Sequence, residues 1–369
     1  MVAGAFGSRF VEARDVAFIV PWKGLYDQLG YDAFVDLKFD LTAMAARWHH
    51  AAQAAHIDVV DNYPEPKDPR TYILYDYFLV DRTERPPFLE TPPLHQSNLV
   101  LCSECSDTQS RDWSIRHRSS SLSLEFNPAV TNYLAEFHSE KFYPHRLLEK
   151  YNNPLVRTVP LGAPAQLCVK TFDGSRSIFL DEPHPMVIRS LDREHLQHVF
   201  SFKKALRICR LLAQRGFKIT SFASRSTSCP DLSTLWRNQE HICLMNYDKL
   251  WIPYLTLLGW YRSSSIFFSH YQETHGFAVY ENLQMGNVVV VFGENYNPFT
   301  IRQFQNGVVL SLYMSDEVCA DLIEEYFTEQ YCKRRAETIS CEATELFSSD
   351  TFGYRLLRGI GRAVPEVIL

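Results

Sequence analysis

Short apolar runs alternate with longer amphipathic segments along most of the chain. In the first half, apolar runs bounded by turn residues predict strands over residues 15–20, 57–60, 72–80, 98–102 and 156–161. The Ala-rich segment from Leu41 to Ala55 predicts a helix between the first two of these strands. Strands that alternate with helices are typical of parallel α/β layers.

The second half repeats this alternation more clearly. Predicted strands cover residues 186–189, 217–222, 242–245, 265–268 and 287–292, and predicted helices cover 199–215, 276–285, 316–327 and 342–362. The unbroken valines from Val288 to Val291 are typical of a central strand buried on both faces. We therefore expect a second parallel α/β layer.

A segment with Pro, Gly and Asp separates the two halves between Leu161 and Pro185. We predict one domain over residues 1–165, a second over 166–345, and a final helical segment over 346–369. The length of 369 residues fits two domains.

Composition and charge narrow the class of protein. An apolar fraction of 46% excludes a mostly disordered chain, and no apolar run approaches the ~20 residues of a membrane-spanning helix. A net charge of −6 argues against nucleic-acid binding by bulk charge. The 9 scattered cysteines and a start without a secretory pattern favour a reduced, cytoplasmic protein.

The chemically informative stretch is the predicted strand, loop and helix from Ser269 to Gly286. Glu273 lies in the loop before the helix, and Glu281 lies about 7.5 Å into the helix at ~1.5 Å per residue. Both carboxylates therefore face a ligand held at the helix N-terminus, where free N–H groups favour phosphate. Gly276 allows the backbone to approach that ligand closely.

This stretch resembles retaining glycosyltransferases of the GT-B fold, in particular glycosyltransferase family 4. Their Glu-x7-Glu signature is matched by Glu273, Gly276, Glu281 and Gly286. The sequence departs from the usual pattern in that His275 replaces Phe, Asn282 replaces Ala and Asn287 replaces Pro. The resemblance implies an α/β fold of two Rossmann-like domains with parallel sheets facing a central cleft, and a C-terminal helix that crosses back to the first domain.

The resemblance also implies site residues. Glu273 would contact hydroxyls of the donor sugar, and Glu281 would accept hydrogen bonds from the ribose hydroxyls. The N–H groups of Gly276 and Phe277, with His275, would stabilise the nucleoside diphosphate leaving group without a metal or other cofactor.

Basic side chains complete the donor site in this family. Arg189 is the best candidate for the arginine that the family places after the first strand of the second domain, and Arg193 or Lys203 is the candidate for the second cation. In the first domain, Gly24 follows the first strand, at the edge where α/β proteins bind ligands.

The implied partners are a UDP-, GDP- or dTDP-sugar donor and a glycan or lipid-linked acceptor. Arginines interleaved with apolar residues between Arg355 and Arg362 leave peripheral membrane contact open. A non-catalytic nucleotide-sugar-binding subunit of the same fold is the alternative function. Cys102 and Cys105 form a lone Cys-x-x-Cys pair, which we interpret as strand-end cysteines and not as a zinc site.

Overall fold

The structure is a computed structural model. It describes residues 15–35, 37, 39–62, 70–75, 78, 99–103, 122–125, 156–158, 174–181, 193–224, 242–247, 254–270, 277–294, 301, 303, 305–348, 352–353 and 356–357. These residues belong to two compact units, which are described separately. The first comprises residues 1–34, 40–165 and 347–369, and the second comprises residues 35–39 and 166–346.

The first unit is built on a six-stranded parallel sheet. Its strands are β1 (Val16–Ile19), β2 (Asp58–Val60), β3 (Thr71–Tyr75), β4 (Leu99–Ser103), β5 (Leu122–Glu125) and β6 (Val156–Thr158). They are ordered β2-β1-β3-β4-β5-β6, and each pairs in parallel with its neighbour. All four residues of β1 are buried, which fits its central position. The predicted strand over 72–80 is shorter than expected, since β3 ends at Tyr75.

Two helices of the first unit connect β1 to β2. Helix α1 spans Lys23–Val35, with a kink at Gly30, and α2 spans Phe39–Ala54. Trp48 of α2 is buried and stacks on Tyr75 of β3 at 5.3 Å between ring centroids. Phe18 of β1 meets the edge of the same indole at 5.2 Å. An aromatic cluster therefore fixes α2 on the sheet.

Residues near the C-terminus complete the core of the first unit. The ring of Phe352 packs edge-on against Trp48 at 5.3 Å. A Cβ atom on Gly353 would come within 2.8 Å of the Ala51 carbonyl oxygen, so the two segments are in close contact. This segment was predicted to cross back to the first domain, and that domain assignment stays a prediction.

The second unit contains another six-stranded parallel sheet. Its strands are β7 (Ser177–Leu180), β8 (Lys218–Ser224), β9 (Ile242–Tyr247), β10 (Ile266–Ser269), β11 (Val288–Phe292) and β12 (Gly307–Leu310). Their order is β12-β11-β10-β7-β8-β9. The predicted central strand is present: β11 is buried throughout and lies between β10 and β12.

Helices connect these strands in the sequence expected of a Rossmann-like layer. They are α3 (Arg193–Gln214), α4 (Tyr254–Arg262), α5 (Phe277–Gln284), α6 (Asp316–Glu325), a π-helical turn (Tyr326–Gln330) and α7 (Lys333–Phe347). Ser315 caps α6, because its side chain accepts a hydrogen bond from the Val318 N–H.

The first strand of the second sheet lies where the sequence indicated a connector. Strand β7 pairs with β10 on one side and β8 on the other, and all four of its residues are buried. We predicted that residues 186–189 form this strand, and they lie outside the described part of the chain. The predicted role of Arg189 therefore stays a prediction. Asp181, a carboxylate, occupies the position after that strand.

Candidate functional site

The strand order of the second sheet reverses between β7 and β10. Helix α3 leads from β7 towards β8, whereas β10 lies on the opposite side of β7. Open α/β sheets bind ligands at the carboxyl ends of the strands at such a reversal. Asp181 and His270 follow these two strands, and the Asp181 N–H donates to the Phe268 carbonyl oxygen at 3.2 Å. The candidate site is therefore built around these two strand ends.

His270 connects the end of β10 to helix α3. Its carbonyl oxygen accepts a hydrogen bond from the Ser201 hydroxyl at 3.0 Å. Its ring lies 4.8 Å from the Phe202 ring, and the residue is fully buried. The first half of α3 is thereby held against the strand end from which the loop containing Glu273 departs.

Glu281 lies one turn into α5, about 6 Å along the axis from Phe277. Its side chain is only 2% exposed. The hydroxyl of Tyr254, the first residue of α4, donates to Glu281 Oε1 at 2.5 Å. A buried carboxylate requires hydrogen-bond donors, and Tyr254 supplies one of them. This contact joins the helix that precedes β10 in the chain to the helix that follows it.

The two asparagines that depart from the family pattern contact each other. Asn282 Oδ1 accepts a hydrogen bond from Asn287 Nδ2 at 2.7 Å. Asn287 Nδ2 also donates to the Tyr261 carbonyl oxygen at 2.9 Å, and the Asn287 N–H donates to the Asn282 carbonyl oxygen at 2.9 Å. Both side chains are fully buried. The C-terminal end of α5 is thereby connected to the C-terminal end of α4.

Gly286 ends α5 in a left-handed backbone conformation, with φ of 81°. A Cβ atom here would lie 2.6 Å from the Ala336 carbonyl oxygen of α7, closer than real Cβ atoms approach. The Gly286 carbonyl oxygen accepts a hydrogen bond from the Tyr331 hydroxyl at 2.8 Å. The second glycine of the signature is thus explained by its conformation and by the close approach of α7.

The structure places only some of the other predicted site residues. Glu273, His275, Gly276 and Arg189 lie outside the residues described. Phe277 is the first residue of α5, and Arg193 is the first residue of α3. Lys203 is exposed on α3, two residues after Ser201, which contacts His270.

Lys204, next to Lys203, has a different environment. It is 3% exposed, and its Nζ donates to the Met314 carbonyl oxygen at 2.5 Å and to Asp316 Oδ1 at 3.0 Å. Burial by itself raises the pKa of Asp316, but hydrogen bonds from Arg207 and Lys204 outweigh it and hold the pKa below 3.8. The Lys204 charge is therefore neutralised within the fold.

The predicted contact residue of the first unit, Gly24, is the second residue of α1. The preceding N–H, of Lys23, donates to Asp61 Oδ1 at 2.5 Å, and Lys23 Nζ donates to Asp27 Oδ2 at 2.5 Å. The start of α1 is thus already supplied with a carboxylate. Trp22 before it has a left-handed backbone with φ of 65°, which is uncommon for a bulky residue.

His49 packs beneath this turn of the first unit. Its Nε2 lies 3.0 Å from the Pro21 carbonyl oxygen, and its ring stacks on Tyr26 at 4.4 Å. Burial lowers the pKa of His49 below 6.5, and the hydrogen bond to Pro21 opposes this shift only in part. A neutral imidazole that donates from Nε2 is the form that fits.

Two searches of the described residues bear on metals and membranes. Across that part of the chain, no group of three or more His, Cys, Asp or Glu side chains could hold a metal ion. Among the helices given above, none has the length and apolar character needed to cross a bilayer. Cys102, of the Cys-x-x-Cys pair, is buried at the end of β4, and Cys105 is not among the residues described.

Sequence reasoning missed three residues of the site. Tyr254 was one aromatic residue among many, and His270 was not singled out after its apolar strand. Asp181 lay in the predicted connector. The signal for His270 was available, because it lies two residues after the predicted strand over 265–268. Tyr254 had no local signal, since its partner Glu281 is 27 residues away.

No protein-family model and no curated protein matches this sequence. Solved structures do match. The sucrose-phosphate synthase of Thermosynechococcus elongatus superposes with a TM-score of 0.53 at 12% identity, covering 93% of this chain and 97% of that one. A glycosyltransferase of Rickettsia africae gives a TM-score of 0.52 at 13% identity, covering 93% and 96%.

Other matched structures are longer than this chain. S. aureus TarM matches with a TM-score of 0.46 at 12% identity, and the match covers 71% of this chain and 55% of that one. The chain therefore spans about half the length of TarM. At these identities the matches establish the fold alone. The two parallel sheets and the two structures matched above a TM-score of 0.5 show that the chain has the two-domain, Rossmann-like α/β fold of GT-B glycosyltransferases.

Proposed function

We propose that this protein is a retaining glycosyltransferase similar to family 4. It would move a sugar from a nucleoside diphosphate donor to a hydroxyl group of a glycan or glycoconjugate. In this reaction the bond between the anomeric carbon and the diphosphate oxygen breaks. A bond from that carbon to the acceptor oxygen forms on the same face, and the acceptor proton passes to the diphosphate.

The observation that carries this proposal is the environment of Glu281. A buried carboxylate lies one turn into the helix that follows β10, at the strand reversal where such sheets bind ligands. Its spacing from Glu273 and Gly286 matches the family signature. A carboxylate that faces a diol accepts two hydrogen bonds, so Glu281 suits the ribose hydroxyls of the donor.

The remaining donor contacts are assigned by the same resemblance. Glu273 would bind hydroxyls of the transferred sugar. The N–H groups at the start of α5, from Gly276 and Phe277, and the side chain of His275 would stabilise the charge that develops on the diphosphate. Catalysis would then require no metal.

The diphosphate of the donor also requires positively charged side chains. Arg189 and Arg193 lie between β7 and the body of α3, and Lys203 is exposed close to the contact between Ser201 and His270. Lys204 is not a candidate, because Asp316 already neutralises it. We therefore assign the diphosphate contacts to Arg189 together with Arg193 or Lys203.

The first domain would bind the acceptor. Gly24 would form part of that surface, although Asp61 and Asp27 already bond to Lys23 beside it. An acceptor without a phosphate group at this point fits these carboxylates better than an anionic one. The proposed acceptors include a lipid-linked glycan whose phosphate lies farther from Gly24. The proposal also includes peripheral contact with a membrane.

Donor binding is tested by thermal unfolding with UDP, GDP, dTDP and their sugar conjugates. At about 100 times the dissociation constant, a ligand adds ~2.7 kcal/mol to the free energy of unfolding. We expect the nucleotides of one base to stabilise the wild type and to have no effect on Glu281→Gln. The control Glu317→Gln, which changes an exposed acid on α6, should be stabilised as the wild type is. The proposal is wrong if no nucleotide at millimolar concentration shifts the wild type.

Turnover then separates an enzyme from a non-catalytic nucleotide-sugar-binding subunit. We expect the wild type to hydrolyse the bound donor slowly and to transfer the sugar with retained anomeric configuration, read by proton NMR of the product. Glu273→Gln should abolish both reactions. Binding without hydrolysis or transfer, over a panel of glycan acceptors, would favour the binding subunit instead.

A further inference from the structure

Helix α4 is fixed to the second sheet independently of the candidate site. The Tyr261 ring near its C-terminal end packs edge-on against Phe179 of β7 and Phe267 of β10, each at 5.3 Å between centroids. Tyr254, Leu257, Leu258 and Tyr261 are all buried and share one face of the helix. Helix α4 is therefore a rigid element on which another group can be positioned.

Two hydrogen-bonded connections join α4 to α5, and they attach to consecutive residues. At one end of α4, the Tyr254 hydroxyl bonds to Glu281 Oε1 at 2.5 Å. At the other end, the Tyr261 carbonyl oxygen accepts from Asn287, which bonds in turn to Asn282 at 2.7 Å. The backbone of α5 and the carboxylate that projects from it are both held relative to the sheet.

In the first connection, the stiff side chain of Tyr254 holds the flexible side chain of Glu281. A glutamate has three side-chain torsions, whereas the two torsions of a buried tyrosine leave its hydroxyl little freedom. Tyr254 is 1% exposed and Glu281 is 2% exposed, so water does not compete for this bond. The Tyr254 hydroxyl therefore fixes the carboxylate in one orientation.

We infer that Tyr254 is a positioning residue that orients Glu281 towards the ribose of the nucleotide, and that this orientation makes the site select ribonucleotides over 2′-deoxyribonucleotides. The inference rests on the proposed function. Tyr254 touches neither the sugar nor the diphosphate in this scheme. Tyr254 acts only by fixing the orientation of the Glu281 carboxylate. The two ribose hydroxyls require one orientation of that carboxylate, and a mobile carboxylate does not hold it.

A purely structural role for Tyr254 predicts a different outcome. Loss of a buried hydrogen bond would loosen α4 and α5 and weaken the binding of every nucleotide by the same factor. Loss of orientation would weaken the ribonucleotide, which bonds to Glu281 through two hydroxyls, more than the 2′-deoxynucleotide, which bonds through one. The ratio of the two affinities therefore distinguishes orientation from stability.

The experiment measures dissociation constants by calorimetry for UDP against 2′-deoxy-UDP, and for GDP against 2′-deoxy-GDP. A hydrogen bond to a charged group contributes enough for about a 10-fold or larger preference of the wild type for the ribonucleotide. In Tyr254→Phe we expect this preference to fall to within about 2-fold of equality. The affinity for the 2′-deoxynucleotide should fall by a smaller factor than the affinity for the ribonucleotide, because only its 3′-hydroxyl contact is weakened.

The matched control is Tyr331→Phe. It also removes a buried tyrosine hydroxyl next to α5, but that hydroxyl bonds to the Gly286 carbonyl oxygen and not to Glu281. We expect this variant to keep the wild-type preference. If both tyrosine variants lose it equally, the effect is general loosening and the inference is overturned.

The remaining outcomes also decide the question. If Tyr254→Phe keeps the wild-type preference, or if the wild type binds both nucleotides equally, the inference fails while donor binding stands. If the wild type binds no nucleotide, the proposed function fails and the inference falls with it. Should Tyr254→Phe be too unstable at about 25 °C, the same comparison is made with sucrose present, which strengthens effective burial. The loss of preference expected there is the same.

Discussion

The side chains of Asn282 and Asn287 are hydrogen bonded to each other, at the two positions where the signature departs from Ala and Pro. The departures are thus not independent. An amide at position 282 provides the acceptor that an amide at position 287 needs, and the second amide continues the connection to the Tyr261 carbonyl oxygen. Buried polar groups are tolerated when they are hydrogen bonded, and both amide nitrogens also donate to backbone carbonyl oxygens, Asn282 to Ala278 and Asn287 to Tyr261. Asn287 Oδ1 has no hydrogen-bond partner among the described residues.

We expect Asn282→Ala and Asn287→Ala each to lower the free energy of unfolding by about 1–3 kcal/mol, since each leaves a buried partner group unsatisfied. The double variant should cost less than the sum of the single variants. Urea unfolding of all four proteins gives the coupling energy, which should be at least about 0.5 kcal/mol for residues in contact. Additive effects would show that the hydrogen bond does not contribute to stability.

Gly286 and Gly216 allow the cost of a close contact to be separated from the cost of a backbone conformation. Both end helices with positive φ, 81° and 89°, but only at Gly286 would a Cβ meet a neighbouring backbone. Gly216→Ala should therefore cost about 1–2 kcal/mol of stability, the left-handed penalty alone. Gly286→Ala should cost about 1–3 kcal/mol more, because α7 must move. Equal losses in denaturant unfolding would contradict the close packing of Ala336 on Gly286.

The ion pair between the buried Lys204 and the partly exposed Asp316 predicts a large loss of stability when Asp316 is neutralised at neutral pH. Asp316→Asn leaves the Lys204 ammonium buried without its counter-charge, so we expect a loss of about 3 kcal/mol in the free energy of unfolding. Glu317→Gln, an exposed acid in the same first turn of α6, should change stability by less than about 0.5 kcal/mol. Because the pKa of Asp316 is held below 3.8, the difference between wild type and Asp316→Asn should disappear only as the pH falls below 3.8.

His49 also predicts that stability falls with falling pH, but here the cause is burial of the imidazole and not an ion pair. Its pKa in the folded protein lies below 6.5, so below pH 6.5 the unfolded chain takes up a proton that the folded chain does not. Its contribution to stability is therefore full above pH 6.5 and is lost as the pH falls from there towards the folded pKa. The limiting slope for one proton is about 1.4 kcal/mol per pH unit.

The check is urea unfolding at several pH values between 7.5 and 5.5. His49→Gln, which keeps an N–H for the Pro21 carbonyl oxygen, should be less sensitive to acid than the wild type over this range. The exposed His56, which has a left-handed backbone that asparagine tolerates, provides the control variant His56→Asn. That variant should follow the wild-type pH curve, and the interpretation fails if it loses the slope as His49→Gln does.

The sequence predicts those parts of the fold whose causes are local. Strand β11 follows from its unbroken valines, and Gly286 follows from the need to end a helix with a positive φ. Strand β7 was missed because its four residues lie between Gly174 and Asp181 and resemble a short apolar stretch in a connector. Its status as a strand comes from pairing with β8 and β10, which lie far along the chain and leave no mark in the local pattern.

The candidate site divides in the same way. Glu281 was predicted from its spacing to the other signature residues, and its role in binding a ligand stays a prediction. Tyr254 could not be identified, because a tyrosine at the start of a helix looks the same whether it fills a core or holds a carboxylate. The contact between Asn282 and Asn287 could be predicted only in part. Two amides five residues apart replace an Ala and a Pro of the family pattern, which indicates a pair but not its geometry.

The central position of β7 determines where the chain can be cut. A fragment that begins at the end of the predicted connector, after Pro185, lacks the strand that joins the two halves of the second sheet. It would retain β12, β11 and β10 on one side and β8 and β9 on the other, each group with an unpaired inner edge. Exposed edges of buried, apolar strands template aggregation. A soluble fragment of the second unit must therefore start before Ser177, for example near Gln166, where this unit resumes along the chain.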